Sequence, residues 1–444
     1  MTAAGTTDET AGAVLPLDEL HGSLADPLME VMNFLNEITL RYPDAISFGP
    51  GRPYEGLFEV ERIGEYLQAW TRYLTEDLGQ GPDQVRTTLF QYGRTNGQIH
   101  ELIARTLHND EGIEADPGSI VVTVGCQEGM LITLRALFAG PDDVLLVTDP
   151  NYVGIMGAAR VLGVETAPVT EDEGGVDLDA LRRVIHSLRA AGKRPRALYT
   201  VPDFSNPSGT SMPVERRHEL LALADAEDLL ILEDNPYGFF TRTDTVRPTL
   251  KALDTRRRVV HLGSFAKTCF PGARVGYVIA DQTVVAPDGR HTLLADELSK
   301  IKSMVTVNTP TLSQALIGGM LVTHDCRLRE ANAPAIAFYR DNLDVLLESL
   351  EAHFPAALRE RTGIHWNAPE GGFFLTLTLP FPADDALLEL SAREYGVLWA
   401  PMRYFHTDDS GDNRLRLSCS YLSPEQIREG VARLAVLVEK GLAR

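Results

Sequence analysis

Lysine is scarce in this 444-residue chain, and basic residues as a whole are outnumbered by acidic ones. Only six of the 41 basic side chains are lysines, so chemistry that requires a primary amine has few candidates. The 62 acidic residues give the chain a formal net charge of −21. Because so acidic a protein repels phosphate backbones and other polyanionic surfaces, the composition argues against nucleic acids and anionic membrane surfaces as partners.

Cysteines and long apolar runs are also scarce. The four cysteines are widely separated and form no C-x-x-C pair, so the sequence predicts neither a disulfide framework nor a zinc site. No apolar run approaches the roughly 18 residues of a membrane span. Residues 1–15 contain no basic residue of the kind that begins a signal peptide. We therefore expect a cytoplasmic protein.

Short runs rich in β-branched residues alternate with helix-like segments between residues 100 and 280. Because these runs are apolar throughout, they are typical of strands buried on both faces. Strands separated by helices predict a mostly parallel sheet with helices on both sides, whose ligands bind beyond the carboxyl ends of the strands. The runs are Ser119–Gly125, Asp143–Pro150, Arg196–Pro202, Leu229–Pro236, Arg258–Phe265 and Ala273–Ala280.

The two ends of the chain differ from this central pattern. Residues 1–25 are small and polar and predict a loose arm. Near the other end, strands are predicted around 372–379 and 414–420. The last helix should begin directly after Ser423, because Ser423 and Gln426 have the spacing of a capping box.

The segment SFAKTCFPGARVG places Lys267 directly after one of the predicted strands. A lysine at a strand end is usually a solvated surface residue, but it can also be desolvated there. Desolvation favours the neutral amine that forms Schiff bases with carbonyl compounds. Arg274, seven residues later, offers a planar guanidinium group that suits a phosphate. The two side chains together predict a site for a phosphorylated aldehyde.

Polar residues follow other strands as well. Asp234 ends a buried strand, where a carboxylate is either a structural cap or the partner of a cationic ring nitrogen. Tyr237 can donate a phenolic hydrogen bond from three residues further on. Asn206 lies in VPDFSNPSG, which by itself predicts a turn. The segment VTVGCQEGM predicts a strand, a turn and a helix whose first N–H groups can bind an anion.

The order and spacing of these motifs resemble those of the fold-type I pyridoxal-phosphate enzymes, and within them the class I/II aminotransferases. The resemblance begins near Asp26 and is closest to the branch of 2-aminoadipate, kynurenine and aromatic aminotransferases. It implies an α/β, aspartate aminotransferase-like fold, with a mostly parallel seven-stranded sheet between helices and a smaller α+β domain. The implied division is a flexible arm at 1–25, a large cofactor-binding domain at 60–315, and a small domain formed by 26–59 and 316–444. A homodimer with shared active sites is also implied.

The resemblance implies which residues contact the ring of the cofactor, pyridoxal 5′-phosphate (PLP). Lys267 would form the internal aldimine and then act as the proton shuttle, a role that needs its neutral amine. Asp234 would keep the pyridine nitrogen protonated, which makes the ring a better electron sink. Asn206 and Tyr237 match the two donors to the phenolic oxygen. Tyr152, in DPNYVG, stands where the family places an aromatic ring stacked on the pyridine.

The phosphate contacts are implied in the same way. The residues that match the phosphate cradle are Gly125, Cys126, Gln127, Ser264 and Arg274. Tyr92, in QYGRTNG, matches a tyrosine that reaches the phosphate of the other subunit. The chain departs from the family at two of these places, because Ala266 stands where serine is common and Cys126 replaces the usual serine or alanine.

Arg416, in RLRLSCS, matches the family's arginine that clamps the substrate α-carboxylate in a bidentate pair. Arg414 would point to the same side of the predicted strand, and we prefer Arg416 because Leu-Ser follows it as in the family motif. The backbone near Gly51 matches the position beside the same carboxylate. Arg52 stands where relatives often carry a small or apolar residue. It is either a contact for an anionic substrate group or a surface arginine.

These residues predict a PLP-dependent aminotransferase that moves the amino group of an L-amino acid to a 2-oxo acid. The alternative on the same fold is a biosynthetic enzyme of bacterial secondary metabolism that catalyses β- or γ-elimination and replacement, C–C bond formation or oxidation. A transcription regulator with a DNA-binding module before this domain is disfavoured, because only about 25 residues precede it and the net charge is wrong for DNA.

Overall fold

The computed structural model describes residues 13–243 and 245–443. Each apolar run that was predicted to form a strand overlaps one strand of the structure. The α-helices, in chain order, are α1 Leu28–Arg41, α2 Arg62–Arg72, α3 Pro82–Phe90, α4 His100–Glu111, α5 Gly125–Leu137, α6 Val153–Leu162, α7 Leu178–Ala190, α8 Val214–Ala226, α9 Leu250–Leu253, α10 Leu294–Val305, α11 Thr311–Thr323, α12 Leu328–Ala331, α13 Ala333–His353, α14 Ala356–Thr362, α15 Asp385–Leu390 and α16 Pro424–Leu442. The strands are β1 Ile46–Ser47, β2 Ile120–Thr123, β3 Asp143–Asp149, β4 Glu165–Asp172, β5 Gly175–Val176, β6 Arg194–Thr200, β7 Leu230–Asp234, β8 Val259–Ser264, β9 Gly276–Ile279, β10 Thr283–Val285, β11 His291–Leu293, β12 His365–Trp366, β13 Phe374–Thr378, β14 Val397–Leu398, β15 Ala400–Pro401 and β16 Arg414–Ser418.

The largest sheet within the described ranges has eight strands in the order β2-β9-β8-β7-β6-β3-β4-β5. Strands β3, β4, β6, β7 and β8 run parallel, whereas β9 is antiparallel to both of its neighbours. The mostly parallel α/β sheet is thus confirmed. The number of strands is one more than the predicted seven, because the two-residue strand β5 turns back and pairs antiparallel with β4.

Helices cover both faces of this sheet, which explains why its central strands are apolar throughout. Leu145 and Val147 of β3 pack in one core with residues of α5 and α6, whereas Leu146 packs in another core with residues of α7 and α8. Successive side chains of a strand point to opposite faces, so a strand between two cores has no polar side. In β4, by contrast, a single residue of eight is buried, and no strand was predicted there.

The strand order reverses next to β3, and this reversal places the site. The chain passes from β3 to β4 on one side of it and then returns to β6 on the other side. The carboxyl ends of β3 and β6 therefore leave a crevice between the loops that follow them. In open α/β sheets, ligands bind in such a crevice.

A second, antiparallel sheet within the described residues has the order β12-β13-β16-β15. Its core contains Ile38 and Phe48 from the first part of the chain together with Leu346, Trp399 and Val431 from the last part. The two ends of the chain therefore share one core. The domain boundaries given above stay a prediction.

The termini are described in part. Residues 1–12 of the predicted arm lie outside the described residues, and its flexibility stays a prediction. At the other end α16 begins with the predicted capping box, in which Ser423 Oγ accepts from the backbone N–H of Gln426 and Gln426 Oε1 accepts from that of Ser423. Among the helices of the described ranges, none has the length and apolarity to cross a membrane.

Candidate active site

A cavity of about 370 Å³ opens beyond the carboxyl ends of β3, β6, β7 and β8. Its walls come from the loops after these strands, the first turn of α5, the loop before α2, and β16 of the second sheet. All of the site residues predicted from the sequence line this cavity, except Gly125 and Tyr92. These residues are Gly51, Arg52, Cys126, Gln127, Tyr152, Asn206, Asp234, Tyr237, Ser264, Lys267, Arg274 and Arg416.

Lys267 lies in the turn after β8, and its amine contacts a loop from the first part of the chain. Nζ donates a hydrogen bond of 2.7 Å to the backbone oxygen of Gly51. Burial, aided by the guanidinium groups of Arg274 and Arg416, lowers the pKa of Lys267 to about 8, against the opposing effect of Asp234. A sizeable fraction of the amine is therefore neutral just above pH 7, as nucleophilic and basic roles require.

Asp234 is the last residue of β7 and is held by two donors. The Tyr199 hydroxyl donates to Oδ2 at 2.7 Å, and the Cys126 thiol lies 3.7 Å from Oδ1. Burial raises the pKa of Asp234 to about 6, and the bonds from Tyr199 and Cys126 limit this rise. Among the described residues no cationic side chain bonds this buried carboxylate, so it is suited to a cationic partner.

Two tyrosines and an asparagine form another part of the wall. Burial raises the pKa of Tyr152 to about 12 and raises that of Tyr237 as well, so both hydroxyls keep their protons at neutral pH. The Tyr237 hydroxyl interacts with the side chain of Asn206. Asn206 Oδ1 in turn accepts a hydrogen bond from Arg416. The amide N–H₂ of Asn206 and the Tyr237 hydroxyl can therefore donate to an oxygen in the cavity.

The first turn of α5 and Arg274 form an anion site. Gly125 begins α5 with a φ of +70°, and a Cβ there would lie 2.5 Å from Nη2 of Arg274. The guanidinium group therefore rests against the glycine backbone in space that a side chain would fill. Cys126 and Gln127 follow in the first turn, where backbone N–H groups have no partner within the helix. A helix N-terminus next to a guanidinium group favours a phosphate.

Arg416, the third residue of β16, is buried at the opposite side of the cavity. Nη2 donates a hydrogen bond of 2.6 Å to the backbone oxygen of Gly49, and Nη1 donates to Asn206. The buried Nε has no hydrogen-bond partner among the described residues. Burial lowers the pKa of Arg416 to about 10, so the group stays charged at neutral pH. It therefore has donor capacity for a carboxylate.

Two aromatic rings hold this guanidinium group in place. Its Cζ lies 4.3 Å from the ring centre of Phe374 and 4.7 Å from that of Phe405. Arg414, by contrast, is exposed at the start of β16. A Cβ at Gly51 would lie 2.1 Å from Phe374 Cζ, so this ring also requires the glycine.

Arg52 lies at the edge of the cavity with its side chain about half exposed. Its guanidinium group pairs with Glu55 at 3.3 Å and lies 4.6 Å from the ring centre of Tyr421. These contacts are compatible with both interpretations made from the sequence, a contact for an anionic substrate group and a surface arginine.

Tyr92 is 84% exposed and does not line the cavity of its own chain. Its expected contact concerns a second subunit and stays a prediction.

The residues of the site that were not identified from the sequence include Tyr199, Phe374 and Phe405. Tyr199 lies inside an apolar run and reads as a core residue, and only the parallel pairing of β6 with β7 brings its hydroxyl to Asp234. Phe374 and Phe405 carry no motif, although Phe374 lies within the strand predicted around 372–379. An aromatic ring has a recognisable role here only once the arginine beside it is known.

Comparisons with known proteins agree with this arrangement. A family model described as aminotransferase class I and II matches residues 62–434. The (S)-3,5-dihydroxyphenylglycine transaminase of Amycolatopsis orientalis is 49% identical, over 96% of this chain and 94% of that protein. Aromatic-amino-acid aminotransferase 1 of Thermococcus litoralis is 30% identical, over 90% of this chain and 89% of its own length. The crystal structure of the kynurenine aminotransferase of Pyrococcus horikoshii in complex with PMP, KYN and KYA is 29% identical, with a TM-score of 0.78 over 93% of this chain and 95% of that one.

Proposed function

The chain belongs to the aminotransferases of class I and II, and we propose that it binds PLP in this cavity and uses an aromatic amino acid as its amino donor. Its reaction is the transfer of an amino group between an amino acid and a 2-oxo acid. The observation that carries the proposal is that one cavity brings together an amine of lowered pKa, a buried carboxylate and two guanidinium groups. The amine suits an aldehyde, the carboxylate suits a ring nitrogen, and the two guanidinium groups suit a phosphate and a substrate carboxylate.

The donor set fits PLP. The anion site formed by Gly125, Cys126, Gln127, Ser264 and Arg274 suits a phosphate, and Asp234 suits the protonated ring nitrogen. Asn206 and Tyr237 would donate to the phenolic oxygen, and Tyr152 would offer an aromatic face to the ring. When bound, PLP supplies an electron sink that makes the Cα–H bond of an attached amino acid acidic.

Lys267 supplies the amine and then the base. In its neutral form, Nζ would take the proton from the substrate Cα and hold it for transfer to the carbon on the other side of the substrate nitrogen. The lowered pKa raises the fraction of neutral amine near pH 7, and a base with a pKa close to the working pH serves such transfers best. The Gly51 backbone oxygen, which accepts from Nζ, keeps the amine at the wall of the cavity.

Arg416 binds the α-carboxylate of the substrate in this proposal. Its unpartnered Nε and its remaining N–H groups support a bidentate contact, and the rings of Phe374 and Phe405 keep the guanidinium group from turning away. The backbone of Gly51 borders the same carboxylate. Because the guanidinium group is buried, water competes weakly for these bonds.

We further propose that the side chain of the amino donor is an aryl ring, as in an arylglycine. Its support is the 49% identity to a dihydroxyphenylglycine transaminase and the apolar lining that Val153, Phe374 and Phe405 contribute to the cavity. Arg52 and its partner Glu55 offer a donor and an acceptor at the edge of the cavity, which suits ring hydroxyl groups.

The test is a panel of amino donors with 2-oxoglutarate, with glutamate as the measured product. We expect the highest kcat/KM for hydroxylated phenylglycines, a lower value for phenylglycine and the lowest for alanine. Lys267→Ala should abolish both turnover and the visible absorbance that borohydride removes. Consumption of the donor without glutamate, or an absorbance that persists in the variant, would contradict the proposal.

We propose that two copies of the chain form a homodimer, with Tyr92 contributed to the partner's site. Phe90, Tyr92, Met304, Val307 and Leu312 are apolar or aromatic and about half exposed or more. A hydrogen bond from the Thr311 hydroxyl to the Leu89 backbone oxygen brings the end of α3 next to the start of α11. Exposed apolar clusters of this kind support an interface. A single-chain mass in light scattering would contradict it.

A further inference from the structure

A buried ion pair ties the first turns of α5 to the last turn of α10. Lys302 Nζ lies 2.7 Å from Glu128 Oε2, and their side chains are 0% and 6% exposed. Lys302 is one of the six lysines, and no part of the proposed reaction uses it. An unpaired charge at this depth would be costly, so each partner depends on the other.

Glu128 connects this pair to the backbone of the anion site. Its Oε2 also accepts a hydrogen bond of 2.6 Å from the backbone N–H of Val124, the residue before Gly125. Val124 is the N-cap of α5, so this bond orients the turn from which the helix presents its free N–H groups. The position of the carboxylate therefore governs the geometry of the turn.

The charge of Glu128 also matters for a phosphate. A carboxylate near the start of a helix is attracted to the same positive helix end that binds an anion. Without a counter-charge, Glu128 would repel a phosphate at the first turn of its own helix. Lys302 supplies that counter-charge, and the Thr306 hydroxyl donates a further bond of 2.5 Å to Glu128 Oε1.

We propose that Lys302 is a positioning residue for the cofactor phosphate, acting through Glu128 on the turn at Val124–Gln127. The inference rests on the proposed PLP site. Lys302 does not line the cavity itself. It orients the carboxylate that holds the turn, and it cancels a negative charge that would oppose the phosphate.

The test compares binding of PLP with binding of pyridoxal, which lacks the phosphate, to the full chain freed of cofactor. Lys302→Met should raise the Kd for PLP at least tenfold and change that for pyridoxal less than threefold. The matched control is Lys251→Met, since Lys251, in α9, is also buried and pairs with Asp281 at 2.7 Å, and neither residue lines the cavity. The control should change both Kd values less than threefold.

The outcomes separate the two proposals. A wild-type chain that binds neither compound contradicts the PLP site itself. A wild-type chain that binds PLP, with Lys302→Met binding it equally well or losing PLP and pyridoxal to the same extent, overturns the positioning role alone. If Lys302→Met does not fold, Thr306→Val takes its place and should weaken PLP about threefold without affecting pyridoxal. Unchanged PLP binding in that variant would overturn the role.

Discussion

Replacing Lys267 with methionine should stabilise the cofactor-free chain. The pKa of Lys267 is about 8 in the folded chain, compared with its ordinary value of 10.5. The unfolded chain therefore binds more protons than the folded chain between these two pH values, so stability rises with pH across this window. Below pH 8 the folded chain bears the full cost of keeping a charged amine in the cavity wall, and methionine removes that cost.

The expected size of this stabilisation follows from the difference between the two pKa values. The difference between 10.5 and about 8, at about 1.4 kcal/mol per pH unit, corresponds to roughly 3.4 kcal/mol at pH 7. The amine faces a cavity that water can enter, and methionine loses the bond to Gly51, which is worth about 1 kcal/mol. We therefore expect a net gain of about 2 kcal/mol at pH 7. At pH 10 the folded wild type is neutral at this position but the unfolded chain is still mostly protonated, so a cost of about 1 kcal/mol remains. The lost bond to Gly51 offsets it, and the net gain should be close to zero.

Thermal unfolding of the two cofactor-free proteins, at equal concentration, tests this at pH 7 and pH 10. The variant should have the higher Tm at pH 7 and the same Tm as wild type at pH 10. Lys251→Met is the control, because it breaks an ion pair and should lower the Tm at pH 7. A Lys267→Met variant that is no more stable at pH 7, or equally stabilised at both pH values, would refute the reasoning.

Two further predictions concern activity. Arg416→Lys keeps the charge but loses the planar guanidinium group, so kcat/KM should fall about 30-fold, mainly because KM rises. This factor corresponds to a loss of roughly 2 kcal/mol of transition-state stabilisation. Arg414→Lys, at the exposed start of the same strand, should leave the steady-state kinetics unchanged, and equal effects of the two changes would argue against the clamp. Tyr199→Phe removes a donor that lowers the pKa of Asp234, so the acid limb of the pH–rate profile should move to higher pH. An acid limb that stays in place would mean that Asp234 does not set it.

Much of the site could be predicted because its residues stand at the ends of recognisable strands. Asp234, Ser264 and Lys267 each end or follow an apolar run, and the carboxyl ends of parallel strands share one edge of the sheet. The sequence could not show Tyr199 as part of the site, since the contact of its hydroxyl with Asp234 depends on how β6 and β7 pair. The polar strand β4 escaped prediction because it lacks the burial that makes a strand apolar.

By itself, the sequence determined the alternation of helices and buried strands, and with it a mostly parallel sheet that carries its reactive residues along one edge. It also predicted Lys267 as the reactive amine, since Lys267 is the one of the six lysines that stands in the family's motif. Only the tertiary structure decided how that amine behaves. Its lowered pKa comes from burial and from Arg274 and Arg416, and its hydrogen bond goes to Gly51, 216 residues earlier in the chain. Electrostatic and burial effects depend on distance in space, and a linear sequence does not contain those distances until the chain has folded.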